Sequence, residues 1–153
     1  MSAVRERLAE LGLTLPPVAA PLAAYVPAVR DGDLVYVSGQ LPLVDGELLE
    51  TGKVGADVTA ERGAELARVC ALNGLAAIDA LGDIDAVARI VKVTGFVASA
   101  ADFTGQPAVI NGASELLGAV FGDAGRHARS AVGVSVLPKD APVEVELIVR
   151  VQN

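Results

Sequence analysis

The sequence predicts an α+β fold: a mixed β-sheet with two long helices on one face, preceded by a short N-terminal helix. Three observations carry this reading. Apolar residues recur at helical spacing from Thr59 to Gly82, and again between Phe103 and Gly122. Runs rich in β-branched residues lie between and outside these tracts, the longest from Val87 to Ala98. The resulting order is β-β-(β)-α-β-α-β-β after the first helix, with strands gathered on either side of two helices.

Taken in order, Val4, Leu8 and Leu11 define one face of a helix over 2–11, with Ser2 as its cap and Gly12 as its stop. Pro16, Pro17 and Pro21 make an extended connector. Tyr25–Val29 and Leu34–Ser38 read as strands joined through Arg30-Asp31-Gly32-Asp33, because Asp-Gly between β-like runs signals a hairpin. Gly39 and Gln40 then interrupt the strand pattern, Asp45-Gly46 marks another turn, and Glu47–Lys53 adds a short strand. The Ala-rich helix from Thr59 has Asp57 or Thr59 as its cap. Val87–Ala98 is the central strand. Phe103, Val109, Ala113, Leu116, Leu117 and Val120 outline the second long helix, which Gly122 ends. Two strands flanking Leu137-Pro138-Lys139-Asp140-Ala141-Pro142 close the chain. A single domain over 1–153 is expected, with 1–20 as an N-terminal helical extension and connector.

Composition narrows the function. A chain of 153 residues with 52% hydrophobic and 20% charged residues is long and apolar enough to bury a core, which argues against disorder. Nineteen acidic residues against twelve basic ones give a formal charge of −7, the wrong balance for neutralising phosphates, so no nucleic acid is expected as a partner. Five scattered aromatics and no Trp leave no platform for stacking bases. A lone Cys70 excludes an internal disulfide, and with a lone His127 it leaves no cluster for zinc. The chain shows no apolar run of membrane-spanning length, and Met1–Leu13 lacks the apolar core of a signal peptide. A cytoplasmic protein with no membrane partner is the expectation.

The chemistry concentrates near the C-terminus. Arg129 opens one β-type stretch, and a guanidinium in so apolar a segment is costly to bury without an anionic partner. The plainer reading, a surface arginine paired with Asp123 or a terminal carboxylate, carries equal weight. Glu144 and Glu146 alternate with valines and share one strand face. Strand pairing that brings a carboxylate to Arg129 would supply a general base, although a solvated face is the simpler account of at least one glutamate. Gly39, within Ser38-Gly39-Gln40, allows close approach of a backbone N–H to a carboxylate or oxyanion, or is mere turn chemistry. Cys70 reads as a buried inert thiol. His127 has no Ser or Cys partner at an interpretable spacing, and the glycines form neither GxGxxG nor a P-loop.

Blocks of the sequence also resemble the reactive-intermediate deaminase family, the RidA or YjgF proteins, also labelled endoribonuclease L-PSP. They are Tyr25, Val35-Tyr36-Val37-Ser38-Gly39-Gln40-Leu41-Pro42, Asn73-Gly74, Val91-Lys92-Val93-Thr94-Gly95-Phe96-Val97, Asn111, Ala128-Arg129-Ser130, Leu137-Pro138-Lys139-Asp140 and Val143-Glu144-Val145-Glu146. The chain looks closer to a longer subgroup. His127 stands where the best-known members carry Pro, and Ala131 where they often carry Cys. The resemblance implies a chorismate-mutase-like fold and a homotrimer with three clefts between subunits. It also implies hydrolysis of small enamine or imine intermediates of the 2-aminoacrylate type to 2-keto acids and ammonia. Arg129 would then grip the substrate carboxylate and Glu144 would position or activate water. Tyr25, Ser38, Gly39 and Asn111 would line the cleft, and no metal or organic cofactor is expected. A non-catalytic carboxylate-binding or regulatory trimer is the alternative. A ribonuclease, suggested by the family label, fits the acidic charge and single histidine poorly.

Overall fold

In the computed structural model of the protein, which describes residues 3–20 and 24–152, the opening segment forms helix α1 (Ala3–Glu10) with Val4 and Leu8 buried. Ser2 and Pro21, the expected cap and the last connector proline, lie outside the described residues. Strand β1 (Ala28–Asp31) begins three residues later than the sequence pattern suggests, just past Pro27, which has no N–H to donate. It pairs antiparallel with β2 (Leu34–Gln40) across a Gly32-Asp33 turn, where Gly32 takes φ 65°.

Gly39 and Gln40 belong to β2 rather than interrupting it, contrary to the pattern. Val37 faces Leu147 and Gln40 faces Val145, so three steps on β2 match two on its partner. A bulge therefore carries the strand onward with one extra residue. β3 (Leu43–Val44) and β4 (Glu47–Leu48) form a small separate hairpin at Asp45-Gly46. The expected strand to Lys53 stops at Leu48, and the chain is next pinned where the Gly52 N–H donates to the Asp140 carbonyl at 2.9 Å.

Helix α2 (Ala60–Leu81) starts where expected: the Thr59 hydroxyl accepts the Arg62 N–H at 3.1 Å. β5 (Val87–Ala98) matches the β-branched run residue for residue. Helix α3 (Gln106–Phe121) begins with Pro107 in its first turn, so Phe103 stays in the preceding loop rather than on the helix. β6 (Ala128–Val134) and β7 (Val143–Val151) follow.

Among the described residues the main sheet has five strands in the order β1-β2-β7-β5-β6. All neighbours are antiparallel except β5 and β6, which run parallel with α3 as their crossover. This order corrects one expectation. The two closing strands do not pair with each other, because β5 lies between them and bonds to both. β7 takes the centre of the sheet and β5 the place beside it, both flanked by strands on each side.

Both long helices cover the face made by Val35, Val37, Ile90, Val93, Val97, Val143, Val145, Leu147 and Val149, all buried. They approach each other closely: a Cβ on Gly112 would stand 1.9 Å from the Ala64 carbonyl oxygen. The opposite face carries Val29, Tyr36, Ile148 and Lys92 in one cross-strand row, Glu146, Thr94 and Ser130 in the next, and Glu144, Phe96 and Val132 in a third. Val29, Tyr36 and Val132 are among its exposed apolar side chains.

Candidate functional site

Glu144 stands on that uncovered face, on β7, opposite the β2 bulge. The bulge brings Gly39 against it, and a Cβ built on Gly39 would lie 2.6 Å from Glu144 Oε1. Only a residue without a side chain leaves the carboxyl group this position. Tyr25, Gly39, Gln40, Leu41, Pro138 and Glu144 line a cleft of about 240 Å³. One of its walls is tied from below. The buried Asn73 of α2 donates both amide hydrogens, to the Leu41 carbonyl at 3.1 Å and the Leu43 carbonyl at 3.0 Å. Gln40, also buried, donates to the Ser38 carbonyl.

No hydrogen bond or ion pair holds the Glu144 carboxylate among the described residues. Burial, with a smaller push from the charge of Glu146, raises its pKa above the ordinary carboxylate value. A carboxyl group so placed is suited to accept and return a proton closer to neutral pH. Cys70 lies beneath this region. Its thiol is fully buried and its pKa is pushed well up, first by burial and then by the charge of Glu144, so it is inert as a nucleophile.

Arg129 belongs to a different environment. In the β5–β6 register it sits beside Val93, a buried residue of the helix-covered face, and its side chain meets α3. Nη1 donates to Asn111 Oδ1 at 2.7 Å and to Ser114 Oγ at 3.2 Å, and Nη2 donates to the Pro107 carbonyl at 3.3 Å. A guanidinium has five N–H donors, and these bonds use three. Among the described residues nothing takes the Nε–H and one Nη2–H, two donors suited to a carboxylate fork. The three partners are neutral and Asp123 is not among them; the terminal carboxylate lies outside the described residues.

The expected site residues therefore fall into two groups. Tyr25, Gly39 and Glu144 share one cleft, and Ser38 sits beside it, its hydroxyl donating to the Val26 carbonyl at 2.6 Å. Asn111 and Arg129 share the other environment. Glu144 pairs with Phe96 and Arg129 with Val93, three residues apart on β5, which puts them on opposite faces of the sheet. Two strand spacings, roughly 10 Å, separate their backbones as well. Within one chain they do not meet.

Comparison with known proteins settles the ancestry of this arrangement. The family model described as "YjgF/chorismate mutase-like, putative endoribonuclease" matches residues 5–151. The chain belongs to the YjgF/RidA family. It is 47% identical over 152 residues to Protein TCP17 of Trypanosoma cruzi, covering 98% of this chain and 95% of the relative. It is 37% identical over 129 residues to the 2-iminobutanoate/2-iminopropanoate deaminase of Escherichia coli K12, covering 84% of this chain and 88% of that one. Among solved structures, Atu1372 of Agrobacterium tumefaciens, a protein described as of unknown function, superposes with a TM-score of 0.90 at 46% identity, covering 98% of this chain and 93% of that one. The YjgF/RidA sheet and its two covering helices are thus shared, while the relatives' names diverge. No helix among the described residues is long and apolar enough to cross a membrane.

Sequence reasoning missed part of the Arg129 environment. His127 does have a serine partner: Ser114 Oγ lies 2.9 Å from its Nε2. Asn111 and Ser114 are three apart on one helix face, and His127 and Arg129 are two apart on one strand face, so each spacing was readable alone. What joins them is the parallel β5–β6 pairing that lays β6 beneath α3, and no local pattern announces it. The Pro107 carbonyl and the Asn73 tie to the cleft wall were likewise unmarked, since backbone acceptors and buried amides leave no periodic signal.

Proposed function

We propose that this chain is a hydrolytic deaminase of small enamine and imine intermediates, working as a homotrimer with its active sites between subunits. The observation that carries this reading is the separation of Arg129 and Glu144. Each half is incomplete on its own: the arginine keeps two unused donors, and the glutamate lies unpartnered beside an open cleft. The uncovered sheet face, with Val29, Tyr36 and Val132 exposed, gives apolar surface for a second copy. Arg129 lies on β6, the strand at one edge of the sheet, which leaves it open to a neighbouring copy. A relative named 2-iminobutanoate/2-iminopropanoate deaminase supports the substrate class.

In this reading Arg129 holds the carboxylate of 2-iminopropanoate or a close homologue side-on. Glu144 takes a proton from water as oxygen bonds to the imine carbon, giving a carbinolamine. That proton passes to the imine nitrogen to complete the neutral carbinolamine; Glu144 then moves the hydroxyl proton to the amino nitrogen as the carbonyl forms and the C–N bond breaks, and the products are pyruvate and ammonia. Tyr25 and Asn111 border the two ends of the substrate, and Gly39 keeps the Glu144 carboxyl group exposed to it.

Mixing two inactive variants tests the intersubunit site. Arg129→Ala and Glu144→Gln, unfolded together and refolded, are expected to regain about a quarter of the wild-type rate of pyruvate release, because random assembly pairs one intact arginine with one intact glutamate at that frequency. No recovery in a mixture shown to be trimeric would overturn the shared site. Pyruvate binding by calorimetry with no release of ammonia from the wild type would instead identify a ligand-binding member of the family.

A further inference from the structure

Donor and acceptor chemistry fixes the direction of every bond around Arg129. The His127 Nδ1 lies 2.6 Å from the Gly125 carbonyl oxygen, which only accepts, so Nδ1 carries the proton. In the neutral imidazole Nε2 is then a bare acceptor, and the Ser114 hydroxyl 2.9 Å away donates to it. With its hydrogen committed, Ser114 Oγ presents lone pairs to Arg129 Nη1 at 3.2 Å. The chain of donation runs from the guanidinium to the hydroxyl, from the hydroxyl to the imidazole, and is anchored where the imidazole bonds a backbone carbonyl. We infer that Ser114 and His127 are positioning residues: they turn Ser114 into a fixed acceptor that holds the Arg129 guanidinium with its two unused donors available for a carboxylate.

The geometry explains why each residue type is needed. His127 and Arg129 alternate along the strand entering β6, so both side chains reach the same helix face. Ser114 follows Asn111 by one helical turn, so the two acceptors stand side by side for Nη1. Without the imidazole, the serine hydrogen is free to rotate toward the guanidinium, and an acceptor becomes a competing donor. A proline at 127 has neither ring nitrogen to offer. This positioning role requires Arg129 to be the carboxylate anchor proposed above; the relay itself exists in the free protein and is measurable there.

The test has two arms. His127 is the only histidine in the chain, so its ring ¹⁵N resonances need no disentangling from others. The wild type is expected to show the Nδ1-protonated tautomer and separate, slowly exchanging Arg129 Nη resonances, assigned by their loss in Arg129→Lys. Ser114→Ala should shift the His127 Nε2 resonance and merge the Arg129 Nη signals. In the kinetic arm, with enzymatically generated 2-iminopropanoate, Ser114→Ala and His127→Ala should raise KM roughly tenfold, with kcat within twofold of wild type. His127→Gln, whose side-chain oxygen replaces Nε2 as acceptor, should recover most of that loss. An Nε2-protonated tautomer, or Nη signals indifferent to Ser114→Ala, would overturn the relay whether or not the protein is a deaminase. A fall in kcat at constant KM would overturn the positioning role in favour of direct action on reacting atoms. A wild type inert toward imines but with the expected spectra would defeat the functional proposal and leave the relay standing.

Discussion

The two halves of the site are built by opposite means. Arg129 is held by bonds: three donors are matched to an amide, a hydroxyl and a carbonyl, and the hydroxyl is itself oriented by a histidine. Glu144 is held by space: a bulge and a missing side chain at residue 39 leave room for it, and no described group bonds its carboxylate. The contrast fits the roles proposed above. A group that must grip a planar anion gains from a fixed fork, because less freedom is lost when the ligand arrives. A group that must pass protons gains from having no permanent partner and a pKa raised by burial.

The sharpest way to break this comparison is Arg129→Lys, which keeps the charge but loses the fork. A loss of about a hundredfold in kcat/KM is expected, on the order of 2–3 kcal/mol. A lysine variant near the wild-type rate would show that charge alone suffices. Gly39→Ala probes the spatial half. The added methyl displaces the Glu144 carboxyl, and activity should fall roughly tenfold while the melting temperature moves by only a few degrees, since the displaced group is the far end of a flexible side chain. Asn111→Ala removes the shortest of the three guanidinium bonds and, like Ser114→Ala, is expected to raise KM roughly tenfold, about 1.4 kcal/mol. Were it as damaging as Arg129→Lys, the asparagine would have to hydrogen-bond the substrate directly rather than only border it.

The smallest effect is on stability. The folded chain raises the Glu144 pKa, by burial first and by the charge of Glu146 second, so ionisation is disfavoured on folding. Stability from this group is intact below the unfolded carboxylate value and is lost as pH rises through the folded one. Glu144→Gln should therefore be slightly more heat-resistant than wild type at pH 7, with the advantage fading as the buffer is taken below the ordinary carboxylate range. A variant less stable than wild type at pH 7 would reveal a cation seated on Glu144 in the assembled protein.

How legible each half was follows from the same contrast. β5 and the capped start of α2 were readable because periodicity and a threonine cap are local signals. Gly39 and Glu144 could be singled out because a glycine in a strand and a glutamate among valines are anomalies along the chain. The β2 bulge was mistaken for an interruption, since an extra residue and a strand end look alike until the partner strand is known. The position of β5 between β6 and β7, and with it the separation of Arg129 from Glu144, depends on which strands pair across a long crossover. That is a non-local choice. Ser114 and His127 were lost for the same reason: their meaning arises only when a helix face and a strand face are laid together.

The contact between Gly112 and the Ala64 carbonyl reaches into this chemistry. Gly112 sits between Asn111 and Ser114, so the seam joining the two long helices lies under the very turn that carries the arginine's acceptors. A single methyl there would wedge α3 away from α2 and tilt both acceptors off their target without touching either. For the proposed deaminase, efforts to tailor the site to new acids have freedom around the cleft beside Glu144 and almost none along the helix seam, where spacing finer than a carbon atom sets the aim of Arg129.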